Sequence, residues 1–411
     1  MSARDGRTRW LLYCFLFFLG WVVMYADRSI LSPVQELVRV QFGLTNSQVG
    51  LISSLFFIVY VLTQIPSGIL GDRVGRIRLI TVGFVIFGIA TSLTGVAGMT
   101  HLFGALLLMR AMAGFGEGFY YGPQFAKSAE VTPLRRRALG AAIINSGQGF
   151  GTALGIAASS FLSYRVGLPW YWTFIVFGVL TLGVGTLIAV LIPDGKGHRD
   201  GSLREEISGF LALLRRPVLL GAFAMLFAGV YAFFVMVTWL PTFLSTQWGM
   251  EPGRAGTIAS LPFWIAVPAG ILVGFLSDRL GHRRAFVAVL APAAVLTILV
   301  LGWTGSEAVL IGAIVLYGAV GKLALDPVLI STVADHVDNA SRSTAYGLYN
   351  CIGMGAAVLS PPLSGLLVDA GGSYRSAFAL AASLLVLGAA CFLLTYRRPA
   401  PTGAGTPIVE G

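Results

Sequence analysis

Charged side chains are scarce in this chain of 411 residues. Asp, Glu, Lys and Arg together make up 11% of it, whereas hydrophobic residues make up 56%, and the mean hydropathy is +0.81. A water-soluble fold of this length could not bury so much apolar surface. Runs of about 20 apolar residues recur instead, and each can cross roughly 30 Å of hydrocarbon as a helix. The composition therefore excludes a soluble domain and indicates a polytopic membrane protein.

Cysteine and histidine are scarce as well, with three and four residues. Cys14, Cys351 and Cys391 fall inside apolar runs, and their spacing fits neither a disulfide framework nor a set of metal ligands. The four histidines lie at predicted loops or at the ends of apolar runs. We therefore expect no metal, no cofactor and no catalytic dyad, and we interpret the chain as a protein that is not an enzyme.

Twelve apolar segments predict an all-α membrane protein with two pseudo-symmetric halves of six helices. The predicted spans are 10–30, 47–70, 79–98, 102–126, 138–162, 170–193, 218–244, 255–276, 285–304, 308–333, 343–367 and 376–396. The longest polar stretch lies between the sixth and the seventh. We expect an N-terminal six-helix bundle at 1–193, a cytoplasmic linker at 194–217, a C-terminal six-helix bundle at 218–396 and a cytoplasmic tail at 397–411.

The net charge of +10 follows the predicted topology. With the N-terminus placed in the cytoplasm, the predicted cytoplasmic segments carry 21 Lys and Arg residues and the predicted outer segments carry four. Because cytoplasmic loops are enriched in Lys and Arg, this distribution predicts that both termini are cytoplasmic. We therefore expect a lipid bilayer and not a nucleic acid as the partner of these charges, and we expect a monomer.

One motif occurs twice, after the second and the eighth predicted spans. The copies are Gly68-Ile-Leu-Gly-Asp72-Arg73-Val-Gly75-Arg76 and Gly274-Phe-Leu-Ser-Asp278-Arg279-Leu-Gly281-His-Arg283. They lie half a chain apart, and such internal repeats are typical of secondary transporters. The aspartate can cap a helix or pair with an arginine, and the second glycine can make the turn. We predict that the conformational switch depends on Asp72, Arg73, Gly75, Asp278, Arg279 and Gly281.

The doubled motif resembles the signature of the major facilitator superfamily. Further segments resemble its anion:cation symporter family, which includes bacterial galactonate and hexuronate carriers and vesicular glutamate and sialic acid carriers. These segments are Tyr25-Ala-Asp27-Arg28, Arg110 followed by Gly114-Phe-Gly-Glu117-Gly, Thr238-Trp-Leu-Pro-Thr-Phe and Gly372-Ser-Tyr-Arg-Ser-Ala-Phe. The resemblance covers nearly the whole chain. It implies transport of a small organic anion across the cytoplasmic (inner) membrane of a bacterium.

Six ionisable residues fall inside the predicted spans, where each costs about 2.5–3.5 kcal/mol at the centre of the bilayer. Three are positive and three negative: Asp27, Arg28, Arg110, Glu117, Lys322 and Asp326. Arg110 and Glu117 are two helical turns apart, about 10.5 Å along the axis, so we expect each to have its partner on another helix. Intramembrane charges usually mark an ion or substrate path, although a static network of structural ion pairs would use the same residues.

The resemblance implies roles for these positions. Asp27 and Glu117 match carboxylates that handle the coupled proton, Arg110 matches the arginine that accompanies them, and Arg28 matches an arginine that recognises the anion. Positions that match polar cavity residues of the family imply a substrate-binding role for Tyr25, Tyr60, Gln148 and Asn350. Tyrosines in membrane helices also serve as packing residues, so this interpretation has a structural alternative at each tyrosine.

Lys322 and Asp326 match no family motif that we can identify. They lie one helical turn apart and can pair directly. One interpretation is a self-neutralised structural pair. The other is a second anchor for the anion, in which Lys322 supplies the positive charge that some relatives place in the seventh span, because the seventh span of this chain carries no charge.

These patterns favour a secondary active transporter that imports a small carboxylate, such as a sugar acid or an aromatic acid, by proton symport and alternating access. An exchanger or exporter of the same fold is an alternative, and exchange would require a counter-substrate and ignore the proton gradient. A non-transporting membrane sensor is a third hypothesis, although the tails are too short for a signalling domain. The sequence does not distinguish sugar acids, aromatic acids and dicarboxylates as substrates.

Overall fold

The computed structural model describes residues 3–133, 136–194, 213–337, 342–371 and 373–397, and every regular element in these ranges is helical. The all-α fold class is therefore confirmed. Most of the predicted linker, residues 195–212, and the tail from residue 398 lie outside the described residues.

The described residues of the N-terminal half form seven α-helices, and the last turn of α6 continues as a π-helix over Phe161–Arg165. In chain order they are α1 (Ala3–Phe42), α2 (Asn46–Val74), α3 (Arg76–Met99), α4 (Phe103–Glu117), α5 (Tyr121–Val131), α6 (Arg137–Ser160) and α7 (Tyr171–Leu191). Helix α1 extends twelve residues beyond its predicted span. Its last turns carry an ion pair between Glu36 and Arg39 at 2.7 Å, so they continue as a polar helix where the sequence predicts a loop.

The C-terminal half repeats this order. Its helices are α8 (Pro217–Thr246), α9 (Pro252–Leu280), α10 (Arg283–Trp303), α11 (Glu307–Val320), α12 (Lys322–Asp335), α13 (Arg342–Gly371) and α14 (Arg375–Thr395). The helix starts have local causes. Thr45 and Gln48 form a capping box at the start of α2. Glu251 accepts hydrogen bonds from the Gly253 and Arg254 amides at the start of α9.

The fourth predicted span of each half is interrupted. Span four is divided into α4 and α5 by a tight turn after Glu117, and span ten is divided into α11 and α12 at Gly321, whose backbone is extended. The predicted spans at 102–126 and 308–333 are therefore each built from two helical pieces. A hydropathy run continues across a one-residue or three-residue interruption, so apolar length alone does not detect these breaks.

Ten helical segments in the described part of the chain are long and apolar enough to cross a membrane. Helices α11 and α12 together form one of these segments. The predicted fourth and fifth spans are not among the ten. Spans four and five are helical, as α4, α5 and α6, but α4 and α5 are short pieces that contain charges and α6 is rich in small and polar residues. The total of twelve spans therefore stays a prediction.

The two halves meet closely along α2 and α13. A Cβ added at Gly50 would lie 2.5 Å from the carbonyl oxygen of Pro361, and one added at Gly365 would lie 2.5 Å from that of Asn46. Only glycine permits backbones to approach so closely. At the end of this contact, Asp369 accepts hydrogen bonds from the backbone amides of Asn46 at 3.0 Å and Ser47 at 2.9 Å. The halves are thus joined at the side predicted to face outward.

Candidate functional site

Asp27 and Arg110 form a sealed ion pair between α1 and α4. Arg110 Nη1 lies 2.8 Å from Asp27 Oδ2. Thr91 on α3 donates a hydrogen bond from Oγ1 to Asp27 Oδ1 at 3.0 Å. Neither charged residue is more than 1% exposed. Both carboxylate oxygens therefore have a partner, and the pair ties three helices of the N-terminal half together.

Arg28, the next residue of α1, forms an ion pair with Glu117 at the end of α4. Its guanidinium carbon lies 4.6 Å from the ring centres of both Tyr25 and Tyr60 and 5.4 Å from that of Phe57, which is within the range of cation–π attraction. Among the described residues, Nε and Nη1 of Arg28 meet no hydrogen-bond partner of acceptable geometry. This buried guanidinium therefore has N–H groups that are available to donate hydrogen bonds to an anion.

Two consecutive residues of α1 thus bind two residues of α4. Neighbouring residues of a helix point about 100° apart, so Asp27 reaches Arg110 while Arg28 reaches Glu117, two turns further along α4. The prediction that Arg110 and Glu117 each have a partner on another helix is confirmed. The four charges neutralise one another in pairs, so that neutralising one carboxylate releases one arginine.

Lys322 and Asp326 form the third pair, within α12. Lys322 Nζ lies 2.5 Å from Asp326 Oδ2, and Tyr349 on α13 donates a hydrogen bond to Asp326 Oδ1 at 2.8 Å. Lys322 also donates to Gln148 Oε1 on α6 at 3.4 Å and lies 5.7 Å from the ring centre of Phe233. The predicted direct pairing is confirmed, and its lysine reaches from the C-terminal half to the N-terminal half.

Asn350 makes a second polar contact between the halves. Its Nδ2 donates to Gln64 Oε1 on α2 at 2.6 Å. The structure therefore places the predicted site residues in three groups: Arg28 with Tyr25 and Tyr60, Lys322 with Gln148, and Asn350 with Gln64. Their roles in binding stay predictions.

Three polar residues of the site were missed by the sequence analysis, and they are Gln64, Thr91 and Tyr349. Each is a neutral side chain in a long apolar run, where hydroxyl and amide groups occur without functional meaning. Tyr349 directly precedes Asn350, which was a weak local signal. The others become visible only when folding brings them to a charged or polar partner.

The interruptions of the two halves lie beside these charges. Glu117 is the last residue of α4, and Lys322 is the first residue of α12. Interrupted helices expose backbone polar groups in the interior of a membrane protein, where they are tolerated next to a binding cavity. Each half therefore presents one ion pair at the break of its fourth span.

The doubled loops contain the predicted turns, because Gly75 has φ of 110° and Gly281 has φ of 65°. Asp278 pairs with Arg283 at 2.6 Å. In the N-terminal half, Asp194 accepts hydrogen bonds from the first amides of α3, including that of Ile77 at 3.1 Å, and so caps this helix. The side chain of Asp72 lies outside the described part of the structure, and Arg73 and Arg279 are exposed.

Membrane-length helices, a repeated loop and paired charges in the interior define the class of an integral membrane transporter. In the described ranges, no group of three or more His, Cys, Asp or Glu side chains could hold a metal ion. The family model of the Major Facilitator Superfamily matches residues 17–251 and 242–411. The chain belongs to this superfamily.

Transporters with named substrates are similar in sequence to this chain over almost its whole length. The probable sulfoacetate transporter SauU of Cupriavidus necator is 28% identical, with 92% of this chain and 90% of the relative covered. The hexuronate transporter of Bacillus subtilis is also 28% identical, with 95% and 96% covered. Both are organic anion transporters, which agrees with the resemblance to the anion:cation symporter family.

A solved structure shares the fold. A bacterial homologue of the human lysosomal transporter Spinster, in an inward-facing and occupied conformation, superposes with a TM-score of 0.77 at 18% sequence identity, over 97% of this chain and 98% of that one. The likeness supports the arrangement of helices in the described part of the chain.

Proposed function

We propose that the protein imports a small organic anion, a carboxylate such as a sugar acid or an aromatic acid, by proton symport with alternating access. The observation that carries the proposal is the buried guanidinium of Arg28, which has unsatisfied donors, rests between two tyrosine rings and is held by a single carboxylate. Its planar fork matches a carboxylate in a bidentate geometry.

Glu117 is the coupling carboxylate in this mechanism. While Glu117 is ionised, it occupies Arg28 and repels an incoming anion. A proton on Glu117 neutralises that charge, so Arg28 becomes available and the bound anion restores electrical balance. Binding of the proton and the anion is therefore mutually favourable. The Asp27–Arg110 ion pair lies next to these residues, and it holds α1 and α4 in the geometry that this change of partner requires.

Alternating access then moves the two halves against each other around the site. The contacts of Lys322 with Gln148 and of Asn350 with Gln64 cross between the halves. Both contacts must rearrange as the access side changes.

We place the six-helix halves at 1–193 and 218–396, with both termini in the cytoplasm and the protein acting as a monomer in a bacterial inner membrane. The named substrates of the two relatives, sulfoacetate and hexuronate, support a carboxylate as cargo.

Uptake by the purified chain in proteoliposomes tests the proposal. A panel of radiolabelled sugar acids, aromatic acids and dicarboxylates is offered with an imposed inward proton gradient, with and without a protonophore. We expect gradient-driven accumulation of at least one anion. Arg28→Lys should weaken binding by about 10- to 100-fold, because a hydrogen bond to a charged group contributes roughly 1.5–3 kcal/mol.

The matched control is Arg254→Lys, which changes an exposed arginine paired with Glu307 and should leave uptake unaltered. Uptake that requires an internal counter-substrate and ignores the proton gradient would replace symport by exchange. Absence of uptake for the whole panel would contradict the proposed function.

A further inference from the structure

The break between α11 and α12 borders a small cavity that has no part in the mechanism above. Its volume is about 10 Å³, enough for roughly one water molecule or one ligand oxygen. Its lining includes Tyr317, Gly321 and Lys322 from the break, together with the apolar residues Phe233, Pro262 and Phe263. Its polar character therefore comes from the helix break.

The hydroxyl of Tyr317 is a buried donor at this cavity. Tyr317 is 3% exposed, and within the described ranges its hydroxyl has no hydrogen-bond partner. The hydroxyl-bearing end of its ring covers the break, since a Cβ added at Gly321 would lie 3.0 Å from Tyr317 Cζ. A buried hydroxyl without a partner costs free energy. A ligand atom in the cavity would recover that free energy.

The other polar groups at the break also favour an acceptor with negative charge. Lys322 is the first residue of α12, where the helix dipole is positive. The amides of Ala324 and Leu325 donate to the Gly321 carbonyl at 3.1 Å, so the first two amides, those of Lys322 and Leu323, are the ones that a ligand can use.

An ammonium has three N–H donors, and those of Lys322 reach Asp326 and Gln148 with one to spare. Asp326 in turn accepts a hydrogen bond from the Tyr349 hydroxyl, in addition to its contact with Lys322. The side chains that line the cavity include no carboxylate.

Lys322 and Arg28 belong to different halves but are connected through α6. Lys322 donates to Gln148 on α6 at 3.4 Å. One turn further along α6, a Cβ added at Gly151 would lie 2.9 Å from the Cβ of Tyr25, whose ring centre lies 4.6 Å from the guanidinium carbon of Arg28. One molecule can therefore lie between the two cations, with one end in each half.

We infer that the α11–α12 break is a second anion subsite, formed by Lys322, the Tyr317 hydroxyl and the first amides of α12, and that the preferred substrate carries two anionic groups. This inference rests on the proposed function. One group of the substrate binds Arg28 and an oxygen of the other enters the cavity. The substrate class is a dianion, either a dicarboxylate or a carboxylate that also carries a sulfonate.

Matched pairs of anions test this inference in proteoliposomes. Galactarate is compared with galactonate and succinate with succinamate, because the members of each pair differ by one anionic group. The wild-type chain should have a KM for the dianion at least about tenfold lower than for the monoanion, as expected from one hydrogen bond to a charged group. Tyr317→Phe should lower this ratio a few-fold, as expected from one hydrogen bond of a neutral donor, and the charge-balanced Lys322→Gln/Asp326→Asn variant should abolish it.

The purely structural alternative predicts a different result for Tyr317→Phe. Removal of a hydroxyl without a partner would then leave the ratio unchanged and the protein at least as stable. Tyr120→Phe is the matched control, because that hydroxyl donates to the Phe17 carbonyl at 2.8 Å within the N-terminal half. It should lower thermal stability without altering the ratio.

Three outcomes overturn the inference. They are equal KM values within each pair, a preference for the monoanion, and an unchanged ratio in Tyr317→Phe or in the charge-balanced double variant, which would assign the cavity to water. Uptake of neither member of either pair, together with no uptake from the wider panel, would overturn the proposed function itself.

Discussion

The ion pairs at the two helix breaks differ in what they connect. Arg28 and Glu117 join two helices, and their side chains are 1% and 0% exposed. Lys322 and Asp326 lie one turn apart in a single helix, and their side chains are 9% and 16% exposed. The N-terminal pair is therefore sealed and joins α1 to α4, whereas the C-terminal pair is more open and neutralised within α12.

This difference suggests a division of labour between the halves. Loss of an ion pair between two helices releases one helix from the other, so protonation of Glu117 can allow α1 to move relative to α4. Loss of a pair within one helix changes the local charge but leaves the backbone of that helix intact. We therefore propose that the N-terminal pair couples transport to the proton and that the C-terminal pair recognises the far end of the substrate.

The largest expected effect comes from a comparison of the two carboxylates. Glu117→Gln mimics the protonated carboxyl and cannot release a proton, so gradient-driven accumulation should be abolished while exchange of internal for external substrate persists. Asp27→Asn should also abolish accumulation, because it leaves the buried Arg110 without its anion and disturbs the packing of α1 against α4 that brings Arg28 to Glu117. Asp326→Asn should retain accumulation. The measurement is uptake against a concentration gradient, with and without an imposed pH difference.

Glu307→Gln is the matched control for this comparison, since Glu307 is an exposed carboxylate that pairs with Arg254. Loss of accumulation in Asp326→Asn would show that the two pairs are equivalent in coupling. Full accumulation in Glu117→Gln would remove the coupling role from the N-terminal pair.

A second prediction concerns stability. Arg110→Gln leaves the fully buried Asp27 without its cation, and removal of one partner from a buried ion pair costs about 3–5 kcal/mol. Lys322→Gln should cost clearly less, because Asp326 is partly exposed and keeps the hydrogen bond from Tyr349. Thermal unfolding of the purified variants in detergent measures both effects. Asp27→Asn/Arg110→Gln should recover most of the loss, and a double variant as unstable as Arg110→Gln would argue against the pair as the cause.

The sequence predicted the helical fold, because long apolar segments are visible in the residue types. It also predicted six ionisable residues in the interior, because charged residues within apolar segments are equally visible. It further predicted the direct contact of Lys322 with Asp326, which lie one turn apart, but it could not predict how the four charges of α1 and α4 pair. Asp27 and Arg28 are adjacent, and only the packing of α1 against α4 decides that one meets Arg110 and the other Glu117.

The α11–α12 break was missed because Gly321 is one small residue within a long apolar run. Tyr317 was missed for the same reason, since its hydroxyl gains meaning only beside that break.

The smallest expected effect compares the doubled loops of the two halves. Asp278 pairs with Arg283 at 2.6 Å, and Asp72 occupies the corresponding position of the repeat. Both lie in the last turns of α2 and α9, at the ends predicted to be cytoplasmic, and Asp72 is twelve residues beyond Tyr60 along α2. Asp72→Ala and Asp278→Ala should therefore reduce the maximal transport rate a few-fold with an unchanged KM, because conformational steps limit turnover in such proteins. Initial rates over a range of substrate concentrations separate the two parameters. A large change in KM at a normal maximal rate would place these loops in substrate binding, and an effect in one half alone would show that only one copy of the repeat controls the switch.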